Sequence, residues 1–140
     1  MGTVIKKADL PSVVQVSTGK LVIFCNPEEK LLDEAVSINI ELAKLLANVK
    51  PDRRAIRMER CFQKVLSTLP DDPLIKDFDV MFNPAYEIDV LQILISLRRS
   101  RKFSVIWPGS FGDGKLVYAE EGYQDYKLFD INNYDVACVI

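Results

Sequence analysis

KLVIFCNPEEKLL, residues 20–32, decides how the rest of the chain is read. Lys20 to Cys25 is a short, continuous apolar run rich in β-branched and aromatic residues, the pattern of a strand buried on both faces of a parallel sheet. Asn26-Pro27 ends it. Proline followed by Glu28 and Glu29 suits a helix start, because proline fits the first turn and carboxylates favour the positive end of the helix dipole. A buried strand that turns directly into a helix is the first half of a βαβ unit, so an α/β sheet is the working hypothesis.

Working outward, Leu31, Ala35, Ile38, Leu42, Leu45 and Val49 recur at intervals of three and four and permit one long amphipathic helix. Val36-Ser37-Ile38-Asn39-Ile40 also alternates strictly, so a short helix, a strand and a helix from Glu41 to Asn48 fit the same letters. Pro51-Asp52 opens a further helix with Ile56, Cys61, Phe62, Val65, Leu66 and Leu69 as its apolar stripe; Arg53, Arg54, Arg57, Arg60 and Lys64 form its solvated face. After a break at Pro70 to Pro73, Leu74 to Phe82 is mixed in pattern. Asn83-Pro84 predicts a helix over about residues 85–101, with Ile88, Leu91, Leu94, Ile95 and Leu97 buried. Phe103 to Trp107 reads as a strand, Pro108 to Gly114 as a turn freed by three glycines, and Lys115 to Ala119 as a strand. Tyr126 to Phe129 and Val136 to Ile140 read as closing strands, and residues 1–18 as an irregular arm with at most an edge strand. Strands alternating with helical patterns predict a single domain over residues 1–140, a three-layer sandwich whose mostly parallel sheet carries helices on both faces.

Composition bounds the function. At 140 residues, with 49% apolar and 27% charged residues, the chain has what a single core of ordinary size requires, burying roughly two-thirds of the unfolded surface. The net charge of −2 gives no bulk attraction to nucleic acid, so any such role rests on local patches. Two exist: Lys50 to Arg60 holds five basic residues against Asp52 and Glu59, and Arg98, Arg99, Arg101 and Lys102 crowd into five positions. Cys25, Cys61 and Cys138 are far apart among apolar neighbours, which suits small buried side chains in a reducing compartment. No secretory leader pattern opens the sequence and no apolar run approaches the roughly 20 residues that span a bilayer, so a cytoplasmic protein is expected.

Catalytic constellations are sparse. There is no histidine, the commonest base for activating a Ser or Cys nucleophile. A phosphate loop needs glycines whose backbone N–H groups curl round the phosphates, a lysine for the β and γ groups, and a following hydroxyl for magnesium. Residues 26–32 offer Lys30 but no glycine, none occurs between Gly19 and Gly109, and Leu31 stands where the hydroxyl is needed. Asp77 and Asp79 are too few for a metal shell. Trp107 and Tyr118 beside Arg98 to Lys102 offer stacking and charge for a nucleic acid, against the plainer reading that Trp107 ends a core strand. The arginines after Leu97 complement the negative end of their helix.

Arg99-Ser100-Arg101, then Trp107-Pro108-Gly109, then Tyr118-Ala119-Glu120 with Gly122, Asp125 and Tyr126, resemble the BrxF family, small P-loop-type accessory proteins of BREX type III anti-phage systems. Ile38-Asn39-Ile40-Glu41-Leu42 with Leu45-Leu46, and Phe82-Asn83-Pro84, resemble it in the same order, so the likeness covers residues 21–126. It implies a P-loop-like α/β fold with a nucleotide site after the first core strand, and it favours the strand reading of Val36 to Ile40. The chain departs from the family where that site would lie. The glycine loop is missing, and Lys76 stands where a magnesium-supporting aspartate is expected. The resemblance thus implies a degenerate member with a vestigial site near Asn26, Lys30, Asp77 and Asp79, no catalytic residue and no cofactor. Implied partners are the other proteins of such a defence system: a large ATPase, a DNA methyltransferase, a helicase and a phosphatase-like protein. Arg53, Arg54, Arg57, Arg98, Arg99, Arg101 and Lys102 are the candidate contacts for a partner or for DNA. An ATPase with an unusual loop, using Lys30 with Asp77 or Asp79, and a DNA-binding module are the competing expectations.

Overall fold

The computed structural model describes residues 2–6 and 20–140. Six strands form one parallel sheet: β1 (Thr3–Ile5), β2 (Leu21–Phe24), β3 (Val36–Ser37), β4 (Leu74–Lys76), β5 (Ser104–Ile106) and β9 (Val136–Val139), in the spatial order β1-β9-β2-β5-β4-β3. Every neighbouring pair is parallel. The run at residues 20–25 therefore lies at the sheet's centre. Leu21 and Ile23 of β2 join Ile75, Val105, Val136 and Cys138 in the main core, whereas Val22 and Phe24 point to the opposite face beside Ile5, Ala137 and Val139. β9 is buried along its whole length, so Val136 to Val139 is a central strand with β1 outside it.

The main core is completed by three helices: α2 (Asn39–Ala47), α3 (Arg54–Ser67) and α4 (Val90–Ser100). All three join the cluster that holds Ile23 and Val105, so among the described residues the longer helices gather over one face. The short α1 (Glu29–Glu34) buries no side chain and borders the other face near Phe24 and Val139. The molecule is thus mixed α/β with a parallel sheet; among the described residues the three longer helices lie on one face, and the short α1 borders the other. Most of the arm, including Val13-Val14, lies outside the described residues, but Thr3–Ile5 forms an edge strand hydrogen-bonded to β9.

Local chemistry explains the boundaries that differ from expectation. The chain from residue 29 to 47 does run helix, strand, helix, but the strand is only Val36–Ser37, because Asn39 and Ile40 already belong to α2. α4 starts at Val90, not near Ala85. Asn83 closes a 3-10 turn over Pro84–Tyr86 by accepting the Ala85 N–H, Glu87 takes a left-handed conformation that interrupts the chain, and Asp89 caps α4 by accepting the Gln92 N–H at 3.1 Å. On α3 the buried stripe is Met58, Cys61, Phe62, Val65 and Leu66, and Ile56 is 78% exposed, so its place in the stripe was wrong.

Residues 108–114 hold more than a turn. Ser110–Gly112 is a strand, β6, that pairs antiparallel with β7 (Lys115–Tyr118), and β7 pairs with β8 (Lys127–Asp130) in a separate three-stranded sheet. Asp113 and Gly114, with φ of 52° and 72°, supply the two left-handed residues of a tight hairpin turn. The stretch around Trp107 and Tyr118 therefore does not edge the parallel sheet. It builds a second sheet that lies against its carboxyl end.

Candidate functional site

Ligand sites in open parallel sheets lie outside the carboxyl ends of the strands, where successive connections leave in opposite directions. The connection from β2 runs past β5 and β4 to β3, and that from β5 runs past β2 to β9. The carboxyl end of β2 is therefore the place to build a site. A polar network, an aromatic stack and a cavity occur at this end of the sheet.

At the carboxyl ends of β3 and β4, each chemically interesting side chain is already held by the chain. The Ser37 hydroxyl donates to the Asp77 carboxylate. Asn39 donates to Asp79 Oδ1 at 3.4 Å and accepts the Val80 N–H at 3.0 Å. The Tyr118 hydroxyl donates to Asp79 Oδ2 at 3.0 Å, and Lys76 Nζ donates to the Leu32 carbonyl at 2.7 Å. Burial raises the Tyr118 phenol above its usual range, and the Asp79 carboxylate adds to this by accepting its hydrogen bond and by its charge. The tyrosine stays a donor, which latches the second sheet to the parallel one.

That latch rests on an aromatic stack. The Phe82 ring lies 3.8 Å from Tyr118, with the two planes only 6° apart, and meets Trp107 edge-on at 5.6 Å. Trp107 meets Phe129 edge-on at 5.6 Å and donates its indole N–H to the Val117 carbonyl at 2.8 Å. Trp107 and Tyr118 are both buried, so neither offers a stacking surface to a nucleic acid. A side chain at Gly109 would meet the Val117 oxygen at 1.9 Å, which shows how closely the entering strand passes β7.

The cavity opens at the carboxyl ends of β2 and β9. It holds about 400 Å³ and is lined by Phe24, Val139, Pro27 and Leu31, with Glu28, Lys30 and Glu34 as its charged residues. Lys30 thus reaches the expected place at the end of β2. Its surroundings do not suit a triphosphate: two carboxylates share the lining with it, and residues 26–28 have no glycine to form a cradle of N–H groups. Asp77 and Asp79 do not line this cavity. The four residues of the expected vestigial site are therefore divided: Lys30 lines the cavity, Asn26 is exposed and does not, and the aspartates are hydrogen-bonded elsewhere, Asp77 to Ser37 and Asp79 to Asn39 and Tyr118. Among the described residues no group of three or more His, Cys, Asp or Glu is placed to hold a metal ion.

A second cavity of about 430 Å³ lies where the α2–α3 connection meets α3. Asn48, Val49, Lys50, Arg53, Arg57, Arg60, Cys61 and Lys64 line it. Four of the arginine candidates are placed differently from this group. Arg54 turns inward and donates through Nε to the carbonyls of Leu46 at 2.9 Å and Val49 at 3.1 Å, closing the carboxyl end of α2. Arg101 donates to the carbonyls of Leu69 and Pro70 at 2.6 and 3.1 Å, and so ties the end of α4 to the break after α3. Arg98 and Arg99 lie in the last turn of α4 and, with Lys102, do not line the cavity. Lys50 and Arg60 belong to the basic patch read from the sequence, and Lys64 is the lining cation outside it; helical spacing from Arg53 and Arg57 would have found Lys64. Burial raises the Cys61 thiol, although Lys64 and Arg57 pull it the other way.

The three cysteines are free thiols. Cys25 is pushed strongly upward, first by its hydrogen bond with Cys138 and then by burial, which keeps it protonated and unreactive. No described helix is long and apolar enough to cross a membrane. The chain matches no family model, no curated protein and no solved structure.

Proposed function

We propose that this chain is a non-catalytic binding component of a prokaryotic anti-phage system of the BREX type, a P-loop-like domain whose nucleotide site has decayed. The observation that carries the reading is the state of the residues at the carboxyl edge. Lys76, Asp77 and Asp79, which a working site would aim at magnesium and phosphate, are each engaged by the chain's own Leu32 carbonyl, Ser37, Asn39 and Tyr118. The parallel order with β2 at the centre and β5 and β9 on either side supports the P-loop-like part of the reading. The absence of glycine after β2, and the carboxylates beside Lys30, support the loss of triphosphate binding.

Such a component acts through contacts with other members of its system, among them a large ATPase, a DNA methyltransferase, a helicase and a phosphatase-like protein. Isothermal titration with ATP and magnesium tests the decayed site, with no heat of binding at micromolar nucleotide expected. Saturable micromolar binding would overturn it. A tagged chain expressed with its neighbouring genes should retain at least one of their products on affinity purification, and recovery of the chain alone counts against the defence-system assignment.

The position of Lys30 on the cavity at the end of β2 favours one competing reading, a nucleotide-hydrolysing protein with an unusual loop. It requires phosphate release from ATP by the wild type and its loss in Lys30→Ala. An inactive wild type ends that reading.

A further inference from the structure

We propose that the groove beside α3 is a docking site for the phosphate backbone of duplex nucleic acid, read by charge and without base contacts. The proposal goes beyond the decayed nucleotide site and uses none of its residues. Arg53, Arg57, Arg60 and Lys64 follow one another at intervals of four, three and four along α3 and its first turn, so they lie along one side of the helix. At about 1.5 Å per residue the row extends about 16 Å, with neighbouring cations about 4.5–6 Å apart along the axis. Lys50, from the connection before α3, joins them across the groove.

These five cations are exposed, and among the described residues none lies within ion-pair distance of a carboxylate. Asp52 and Glu59 are the nearest acidic residues in sequence, and neither lines the groove. Five positive charges round one cavity, with no carboxylate in ion-pair reach among the described residues, repel each other, a cost that an anion threading among them relieves. Three of the five are arginines, whose planar fork matches phosphate oxygens in pairs. The lining holds no aromatic side chain, so it offers unpaired bases nothing to stack on. What remains is recognition of closely spaced phosphates, which a duplex presents at one charge per about 1.7 Å of axis. An acidic protein segment would satisfy the same charge with a sparser and less regular array.

Fluorescence anisotropy of the full chain with a labelled duplex of about 20 base pairs tests this, because each neutralised phosphate adds about 0.9 to the slope of log affinity against log salt. Five contacts predict a slope of about −4 to −5, a loss of several hundredfold between about 50 and 200 mM salt. Arg57→Glu with Arg60→Glu should abolish binding; the neutral pair Arg57→Gln with Arg60→Gln should flatten the slope by about 2 and guards against misfolding of the first. Arg99→Glu should bind as wild type does. Failure of the wild type to bind at low salt overturns the proposal, as does unchanged binding by the neutral pair. Tighter binding of a single strand than of the duplex, or displacement of the duplex by polyglutamate at equal charge, overturns it in favour of those ligands.

Discussion

The carboxyl edge of the parallel sheet and the groove beside α3 are both rich in charged residues, yet they are in opposite chemical states. At the edge, Lys76, Asp77 and Asp79 are each hydrogen-bonded within the chain, and Asp79 links α2, the turn after β4 and the second sheet. In the groove, Lys50, Arg53, Arg57, Arg60 and Lys64 have no described carboxylate within ion-pair distance. Polar side chains that tie elements together stabilise the fold, because removing one leaves its partners unsatisfied. Charged side chains held apart from opposite charge contribute little to stability and remain available to an outside anion. Substitution should therefore cost stability at the edge and leave it unchanged in the groove.

The largest effect is expected at Phe82, which is buried and touches Tyr118, Trp107 and Phe129 together. Phe82→Ala should lower the unfolding free energy by about 3–5 kcal/mol, measured by urea titration. A cost below about 1 kcal/mol would mean that the stack does not join the two sheets. Gly109→Ala comes next, since its methyl would collide with the Val117 carbonyl that receives the Trp107 indole N–H. A loss of about 3 kcal/mol is expected, whereas Gly112→Ala, with nothing within 4 Å of the added carbon, should fall within about 0.5 kcal/mol of wild type.

Asp79→Ala leaves the Tyr118 hydroxyl and the Asn39 amide without their acceptor and should cost about 1–2 kcal/mol. A neutral result would place Asp79 with the groove residues and break the contrast. A smaller effect is expected from pH. Burial, with the Asp89 carboxylate as hydrogen-bond partner and neighbouring charge, pushes the Tyr134 phenol up to about 12. The folded chain then keeps a proton that the unfolded chain has lost. Stability from this bond is complete below the ordinary tyrosine value of 10 and declines as pH rises toward about 12. Tyr134→Phe should therefore be slightly less stable at neutral pH and should show a shallower alkaline decline, both read from thermal unfolding across pH. Least of all, Arg57→Gln with Arg60→Gln should leave the unfolding free energy within about 0.5 kcal/mol of wild type. A larger loss would show that these arginines hold the fold and are not free for a ligand.

Much of the parallel sheet was legible because its signal is local. The runs at residues 21–24, 104–106 and 136–139 are apolar enough to be strands in any context, and the stripe of α3 from Cys61 to Leu66 is periodic. The candidate site was legible only in its inventory. Spacing marks Arg53 and Arg57 as neighbours on a helix, but nothing local distinguishes them from Arg54, one residue away, which turns back to cap α2. Likewise Asp77 and Asp79 look alike in the sequence as acidic residues beside Lys76. Only the fold brings Ser37 to one of them, and Asn39 with Tyr118 to the other.

By itself, then, the sequence determined the α/β class, the reading of KLVIFC as a core strand, and the lack of a glycine cradle after it. These are properties of composition and short-range pattern, which each segment carries wherever it lies. Tertiary structure decided that Val136 to Val139 enters the sheet next to that strand, and that residues 110–130 form a sheet of their own. It also decided which cations have no carboxylate within ion-pair distance among the described residues. Strand order and side-chain pairing depend on residues far apart in the chain, from 30 positions for Leu74 and Ser104 to 134 for Thr3 and Ala137, whose contacts arise from packing and leave no periodic trace in the chain.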